Sequence, residues 1–139
     1  MTKKLFRNID KKMEKIEQTI IESTEQVLVE MSERSLQEAP LMDGDLRDSY
    51  VVTGNNKDII KGSNSGNPKI VGTAYNKNIK DIVYEASYNT PYARRQHEEM
   101  DYYHPTPGTK CKYLQDPFLA YYEYFVDDVQ DAVNKVVRK

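Results

Sequence analysis

The sequence predicts an α+β fold, a small antiparallel sheet of three to four strands covered by a long N-terminal helix and a C-terminal helix. Three observations carry this expectation. Apolar residues recur at helical spacing through the first third of the chain, β-branched and aromatic runs separated by turn formers fill the middle, and a second helical stripe closes the chain. Two helices with one apolar face each need a sheet, or each other, to cover it, which makes a two-layer α+β arrangement the economical solution. At 139 residues, with no Gly/Ser- or Pro-rich linker, residues 1–139 form one domain.

The first helix is expected over 1–39. Leu5, Ile9, Met13, Ile16, Ile20, Val27, Leu28, Met31 and Leu36 fall at intervals of three and four with one polar gap. Pro40 forbids continuation, and Ala39 before it is biased to extended backbone. Residues 1–16 carry six cations (Lys3, Lys4, Arg7, Lys11, Lys12, Lys15) against Asp10 and Glu14, a net of +4; residues 17–38 carry six Glu against Arg34, a net of −5. Cations at the N-terminus and anions at the C-terminus oppose the helix dipole, so local stability does not account for the pattern; an intermolecular partner, or a solvated face segregated by chance, does. Asp43 or Asp45 can cap a short helical turn running to Tyr50.

A β-meander is expected over 49–88, with strands at 49–53, 58–61, 69–75 and 80–88. The connections, Gly54-Asn55-Asn56-Lys57, 62–68 and 76–79, are rich in turn formers and short enough to favour antiparallel neighbours. Residues 91–112 then read as a short helix, with Thr90 as its cap and Pro91 in its first turn, followed by a loop containing Pro105, Pro107 and Gly108. The last helix spans 116–137, with Asp116 as N-cap, Pro117 at N1, and a stripe of Phe118, Tyr122, Phe125, Val129, Ala132, Val133 and Val136.

Composition excludes several classes. Twenty Lys and Arg against twenty-two Asp and Glu do not make a general nucleic-acid coat, which needs clustered cations to neutralise phosphate. Cys111 is alone, so no intrachain disulfide framework exists and a reducing compartment is the natural inference. The N-terminus lacks the apolar run of a secretory signal, and no stretch approaches the ~20 apolar residues of a membrane span, so a soluble, cytoplasmic product without membrane contact is expected. Eleven Tyr against three Phe and no Trp suit either a half-buried sheet or a surface covered in an assembly.

His97 and His104, with Glu98, Glu99, Asp101 and Cys111 nearby, are residue types that bind zinc or transfer protons. The His-x6-His spacing does not put both rings on one helix face, and the His-Glu-x-x-His pattern and a second Cys are missing. A hydrolase built on His97 and Glu98 is disfavoured because adjacent residues point to different sides of a helix and no nucleophile turn is present. The expectation is a non-enzymatic chain with no metal and no cofactor. Tyr92, Arg94, Arg95, His97, Glu98, Tyr102, Tyr103, His104 and Pro105 instead read as a recognition surface. Arg94, Arg95, His97 and Glu98 give polar specificity, and Tyr102, Tyr103 and Pro105 give area. Arg94-Arg95 amid tyrosines and the basic N-terminal segment also suit nucleic acid, which is the alternative reading.

The order of three segments resembles the minor-capsid and head-to-tail connector (tail-completion) proteins of tailed bacteriophages. Ala39-Pro40 followed by Gly44-Asp45-Leu46-Arg47-Asp48-Ser49 looks like that family's early signature. Tyr92-Ala93 matches a second, with Glu98 as the acidic partner and its usual Gly missing, and the Pro-rich loop leading into the last helix follows in order. The resemblance covers most of the chain and its specificity lies in order and spacing. It implies a virion subunit, assembled in the host cytoplasm, that forms a hexameric or dodecameric ring in the neck. Such a ring would contact other neck or tail proteins while DNA passes through without sequence-specific binding. A closed ring requires heterologous contacts, for which the sheet edge, the 92–100 segment and the 101–112 loop are candidates.

Overall fold

A computed structural model describes residues 2–40, 45–76, 81–90, 93–98 and 112–138, the side chains of 94–96 excepted. Helix α1 (Thr2–Glu38) is followed by α2 (Asp45–Asp48), β1 (Tyr50–Gly54), β2 (Lys57–Lys61), β3 (Lys69–Ile70), β4 (Tyr84–Tyr88), α3 (Ala93–Glu98) and α4 (Gln115–Val137). The four antiparallel strands lie against α1 and α4, as the sequence predicts.

The strand order β3-β2-β1-β4 corrects the expected meander. The first three strands meander, but the fourth returns to the free edge of β1, the arrangement of a Greek key. The cause is visible in residues 71–83. Val71 and Gly72 both donate to the Ile59 carbonyl, after which the chain leaves the ladder and the Ala74 N–H goes to Glu25 Oε2 of α1. The predicted third strand of 69–75 is therefore cut to two residues. Asn55 recaptures the chain on the far side, donating through Nδ2 to the Asp81 carbonyl and accepting the Val83 N–H at Oδ1. The predicted fourth strand starts only at Tyr84, and 77–80 lie outside the described residues.

Asn55 and Asn56, at φ 51° and 68°, form the two-residue turn between β1 and β2, whose left-handed backbone Asn tolerates. A register shift between Val52 and Thr53 lets the consecutive residues Ile59 and Ile60 both be buried, which strict alternation forbids. Gly54 faces Tyr84 across the ladder, and a Cβ on it would stand 2.5 Å from that of Ala74.

Tyrosine hydroxyls join the sheet to α1. Tyr50 bonds Ser32 Oγ at 2.6 Å, with Ser32 donating onward to the Leu28 carbonyl; Tyr88 bonds Ser35 Oγ at 2.7 Å; Tyr84 donates to Glu25 Oε2 at 3.0 Å. Burial pushes all three phenols above their ordinary range, and for Tyr84 the Glu25 charge adds to it. Between these bonds lie Val27, Leu28, Met31, Leu36, Val52, Ile59 and Ile60, which form the core.

Arg47 holds the other end of α1. That helix has no basic residue in its last turn, and Arg47 supplies the charge from α2. The residue is almost fully buried, with Nε and Nη2 on the Ala39 carbonyl at 3.1 and 3.0 Å, Nη2 on Gln37 O at 3.3 Å and Nη1 on Asn64 O at 3.5 Å. Burial lowers its pKa from the ordinary guanidinium value and Tyr88 opposes the shift. Gly62 is the close neighbour that permits this packing: a Cβ there would lie 2.1 Å from the Arg47 carbonyl oxygen and 2.8 Å from Tyr50 Cβ.

Helix α4 runs antiparallel to α1. Lys12 Nζ donates to the Val137 carbonyl, Phe125 lines one cavity with Ile20 and Ile21, and Tyr121 and Tyr124 line another with Glu30 and Arg34. Its expected start and stripe need correction. The helix begins at Gln115, Leu114 stands at the N-cap without a side-chain bond, and Asp116 and buried Pro117 occupy the first turn, where a missing N–H costs nothing. Phe118, Tyr121 and Phe125 face the core, whereas Tyr122 is 66% exposed. Residues 2–11 of α1 extend past the α4 end by about 15 Å.

Candidate interaction surface

The only two predicted surface residues with described side chains, His97 and Glu98, meet at the junction of α3 with α4. Tyr113 fixes that junction. Its hydroxyl donates to the Ala93 carbonyl at 2.7 Å, and its ring stands edge-on to Tyr88 and to His97 at centroid distances of 4.9 and 5.1 Å. Tyr88 in turn meets Tyr50 at 4.9 Å, so four rings run in sequence from the sheet core to His97. Lys112, at φ 56°, bends the chain so that its N–H donates to the His97 carbonyl and its carbonyl accepts from Asp116.

His97 Nε2 accepts the Gln115 backbone N–H at 3.1 Å, and Nδ1 lies 2.8 Å from Glu98 Oε1. With Nε2 as the acceptor, Nδ1 is the nitrogen that donates to the carboxylate. The ring thereby satisfies one orphan donor of α4 that Leu114 cannot. Glu98 Oε2 pairs with Lys112 Nζ; Lys112 first and His97 second hold the Glu98 carboxyl below its ordinary range. The expectation that His97 and Glu98 diverge is corrected here. Glu98 is the last residue of α3, so its side chain is free to fold back onto its neighbour.

Of the remaining predicted residues, Arg94 and Arg95 lie on α3 but their side chains fall outside the described residues, as do Tyr92, Tyr102, Tyr103, His104 and Pro105 altogether. Tyr92-Ala93 nevertheless has a local reason at its second residue, since Ala93 is buried against Ala39, Leu46 and Tyr113. Thr90 does not cap α3 with its side chain: Oγ1 is buried without a partner, and the Thr90 carbonyl accepts from Ala93 N–H instead.

Among the described residues, large apolar side chains are exposed on the sheet side at Ile70, Val71 and Val83 and on two helix faces. On the projecting end of α1, Leu5, Phe6, Ile9 and Met13 are each about half exposed, and on α4, Leu119, Tyr122 and Val126 are exposed by 64, 66 and 51%. A pocket of about 340 Å³ is lined by Ile20, Ile21, Ile82, Tyr84 and Phe125, with Glu17 its one carboxylate. Tyr84, which also lines it, already donates to Glu25. Among the described residues no three of His, Cys, Asp and Glu converge as a metal site would need, and no helix is long and apolar enough to cross a membrane.

Family models, curated proteins and solved structures give no match to this chain.

Sequence reasoning missed Arg47, Glu25, Ser32, Ser35 and Asn55 as organising residues. Two signals pointed to them: Ser32 and Ser35 interrupt an otherwise apolar helical face, and tyrosine outnumbers phenylalanine where a sheet should carry either. Ser49 and Asn89 form a further pair, with Ser49 Oγ accepting the Asn89 N–H and the Ser49 carbonyl accepting Asn89 Nδ2, which fixes the exit of β4.

Proposed function

We propose that this chain is a non-enzymatic structural subunit of a tailed phage or prophage-derived particle. In this reading, copies close a ring in the neck that joins head to tail or terminates the tail tube. The observation that supports it most is the apolar surface left open at two separate places on one small domain, the α1 projection and the outer face of α4. A free-standing enzyme or carrier has no need of two such surfaces, while a ring subunit uses one toward each neighbour. The order of the Ala39-to-Ser49, Tyr92-Ala93 and 104–118 segments supports the same family reading. The junction of α3 with α4 ties the 93–98 segment, which carries Arg94 and Arg95, to the helix layer.

The test is substitution of Arg94 and Arg95 by Glu in the particle that encodes the chain. A folded variant whose heads and tails fail to join indicates the head-side role, and overlong tails indicate a terminator. Normal infectious particles from a well-folded variant would refute that surface. The alternative, a nucleic-acid-associated accessory protein, draws on the cationic projection of α1, net +4 over residues 1–16. It requires an electrophoretic shift at low salt that collapses at high salt.

A further inference from the structure

We infer that the free edge of β4, with the outer stripe of α4 above it, takes one further antiparallel strand from a partner protein, an extended segment of alternating apolar residues with a Lys or Arg between them. The inference stands apart from the ring reading, since the strand comes from a different protein.

Backbone direction comes first. The Asn55 N–H bonds the Val83 carbonyl, and the Gly62 N–H bonds the Tyr50 carbonyl from the β2 side. Backbone groups along a strand alternate between its two neighbours. Tyr50, Val52 and Gly54 therefore turn theirs to β2, and Val51, Thr53 and Asn55 turn theirs to β4, where they meet Ser87, Glu85 and Val83. Tyr84, Ala86 and Tyr88 are left with N–H and C=O directed away from β1, and β4 ends the sheet. Among the described residues no hydrogen bond reaches those groups. The opposite edge is blunted: β3 follows Pro68, begins at Lys69 and has two residues. Strand β4 has five, with no Pro, Lys or bulge.

The exposed stripe of α4 borders the same edge. Helix α4 lies on the β4 side of α1, where Phe125 lines a cavity with Ile82 and Tyr84. The other flank of α1 meets β2 and β3, with Gln26 and Val29 beside Ile59 and Ile70. Round α4, Tyr121 comes first on the side of Glu30 and Arg34 of α1, then Phe125 and Phe118 toward the sheet. Tyr122, Val126 and Leu119 follow, about 100° further on, past the sheet side and away from α1. An open backbone edge and an open apolar stripe thus lie side by side on one flank of the domain.

Only an extended backbone satisfies both. A helix laid on the α4 stripe would leave the edge groups of Tyr84, Ala86 and Tyr88 unpaired, whereas an added strand bonds them all. Residues of that strand opposite Tyr84, Ala86 and Tyr88 share their face of the sheet and meet the underside of α4, so apolar side chains suit them. Those opposite Glu85 and Ser87 face solvent. Glu85 is exposed and has no cation paired with it among the described residues, so a Lys or Arg across from it completes a cross-strand pair. A second copy does not supply the strand. Pairing β4 with β4 would put a twofold axis about 2.4 Å from β4, half the strand spacing. Both α4 helices, each about 10 Å across, would then claim the same space. The β3 edge is too short to serve instead.

Amide exchange followed by NMR on the full chain tests this. In the free protein Glu85 and Ser87 should be protected, and Tyr84, Ala86 and Tyr88 should exchange freely. The probe is a synthetic peptide of valines alternating with threonines, one inner threonine replaced by lysine, at millimolar concentration. It should slow exchange at those same three amides and shift the signals of Leu119, Tyr122 and Val126. N-methylation of its valines, whose N–H groups face β4, should abolish binding, and N-methylation of its threonines should not. Glu85→Lys should weaken the lysine peptide severalfold and favour a peptide with glutamate in its place, and Val126→Asp should weaken both. Protection of Tyr84, Ala86 and Tyr88 in the free protein at every concentration would overturn the proposal, since the chain would then cover its own edge. Protection that grows with protein concentration overturns it in favour of a second copy. No protection by either peptide, or binding indifferent to the valine N-methyl groups or to Val126→Asp, overturns it as well.

Discussion

Replacing Arg47 by Met isolates the device that ends α1. The substitution keeps the unbranched stem and the packing around it while removing four charge-assisted hydrogen bonds. The Ala39 carbonyl, on a residue with no exposed surface, loses both of its guanidinium donors. A buried acceptor left without a partner costs about 1–3 kcal/mol. The lost cation at the C-terminus of α1 adds roughly 1 kcal/mol. Relief of guanidinium desolvation, the effect that lowers the Arg47 pKa, offsets part of this. The expected net loss is about 3 kcal/mol, seen as a fall of roughly 10 °C in Tm or an equivalent shift of the urea midpoint followed by circular dichroism. Arg47→Lys should recover about half, since one ammonium keeps the charge but cannot span Ala39 and Asn64 together. A Met variant within about 0.5 kcal/mol of the parent protein would show that solvent, and not Arg47, satisfies the end of α1.

Gly62→Ala should be more damaging than any exposed substitution, because the new methyl meets the Arg47 carbonyl at 2.1 Å; loss of soluble, cooperatively unfolding protein is the readout. His97→Ala removes the acceptor of the Gln115 N–H and should cost about 1 kcal/mol locally. Hydrogen exchange in the first turn of α4 should then be about fivefold faster, and unchanged exchange there would refute the cap. Alkaline titration tests the tyrosine bonds. Tyr50, Tyr84 and Tyr88 hold their protons more tightly folded than unfolded, so their contribution is complete below the ordinary phenol range near pH 10 and is lost as pH rises above it. Unfolding free energy measured from pH 8 to 11 should fall at the upper end, with a shallower slope for Tyr50→Phe.

The layers of this fold were legible because they depend on periodicity. The helical stripes, the Asn55-Asn56 turn and Pro40 each act over a few residues, and the sequence states them directly. The order of the strands was not legible, because β4 reaches β1 through an exchange of partners distant in sequence: Ala74 to Glu25, and Asn55 to Asp81 and Val83. The start of α4 was misread for a similar reason. Asp116-Pro117 is a sound local cap signal, yet the donor at Gln115 finds His97, eighteen residues earlier. Tyr122 and Tyr121 are equally plausible core residues by spacing, and only the position of α1 decides between them. Of the proposed recognition surface, the sequence identified His97 and Glu98 as chemically distinctive but not that they face one another and the start of α4.

The tyrosine bonds at Glu25, Ser32 and Ser35 also act as a ruler. Their spacing along α1 is seven and three residues, and a helix slipped by one residue would misalign all three at once. Because α1 is indexed to the sheet in this way, its distal end inherits a fixed reach and azimuth. Ile9 sits sixteen residues before Glu25, or about 24 Å along the axis. A single residue inserted between them would lengthen the arm by about 1.5 Å and rotate its tip by about 100°, turning Leu5 and Ile9 away from whatever they address while leaving the core intact. The reach of the distal end of α1 is thereby set by three tyrosine hydroxyls of the sheet.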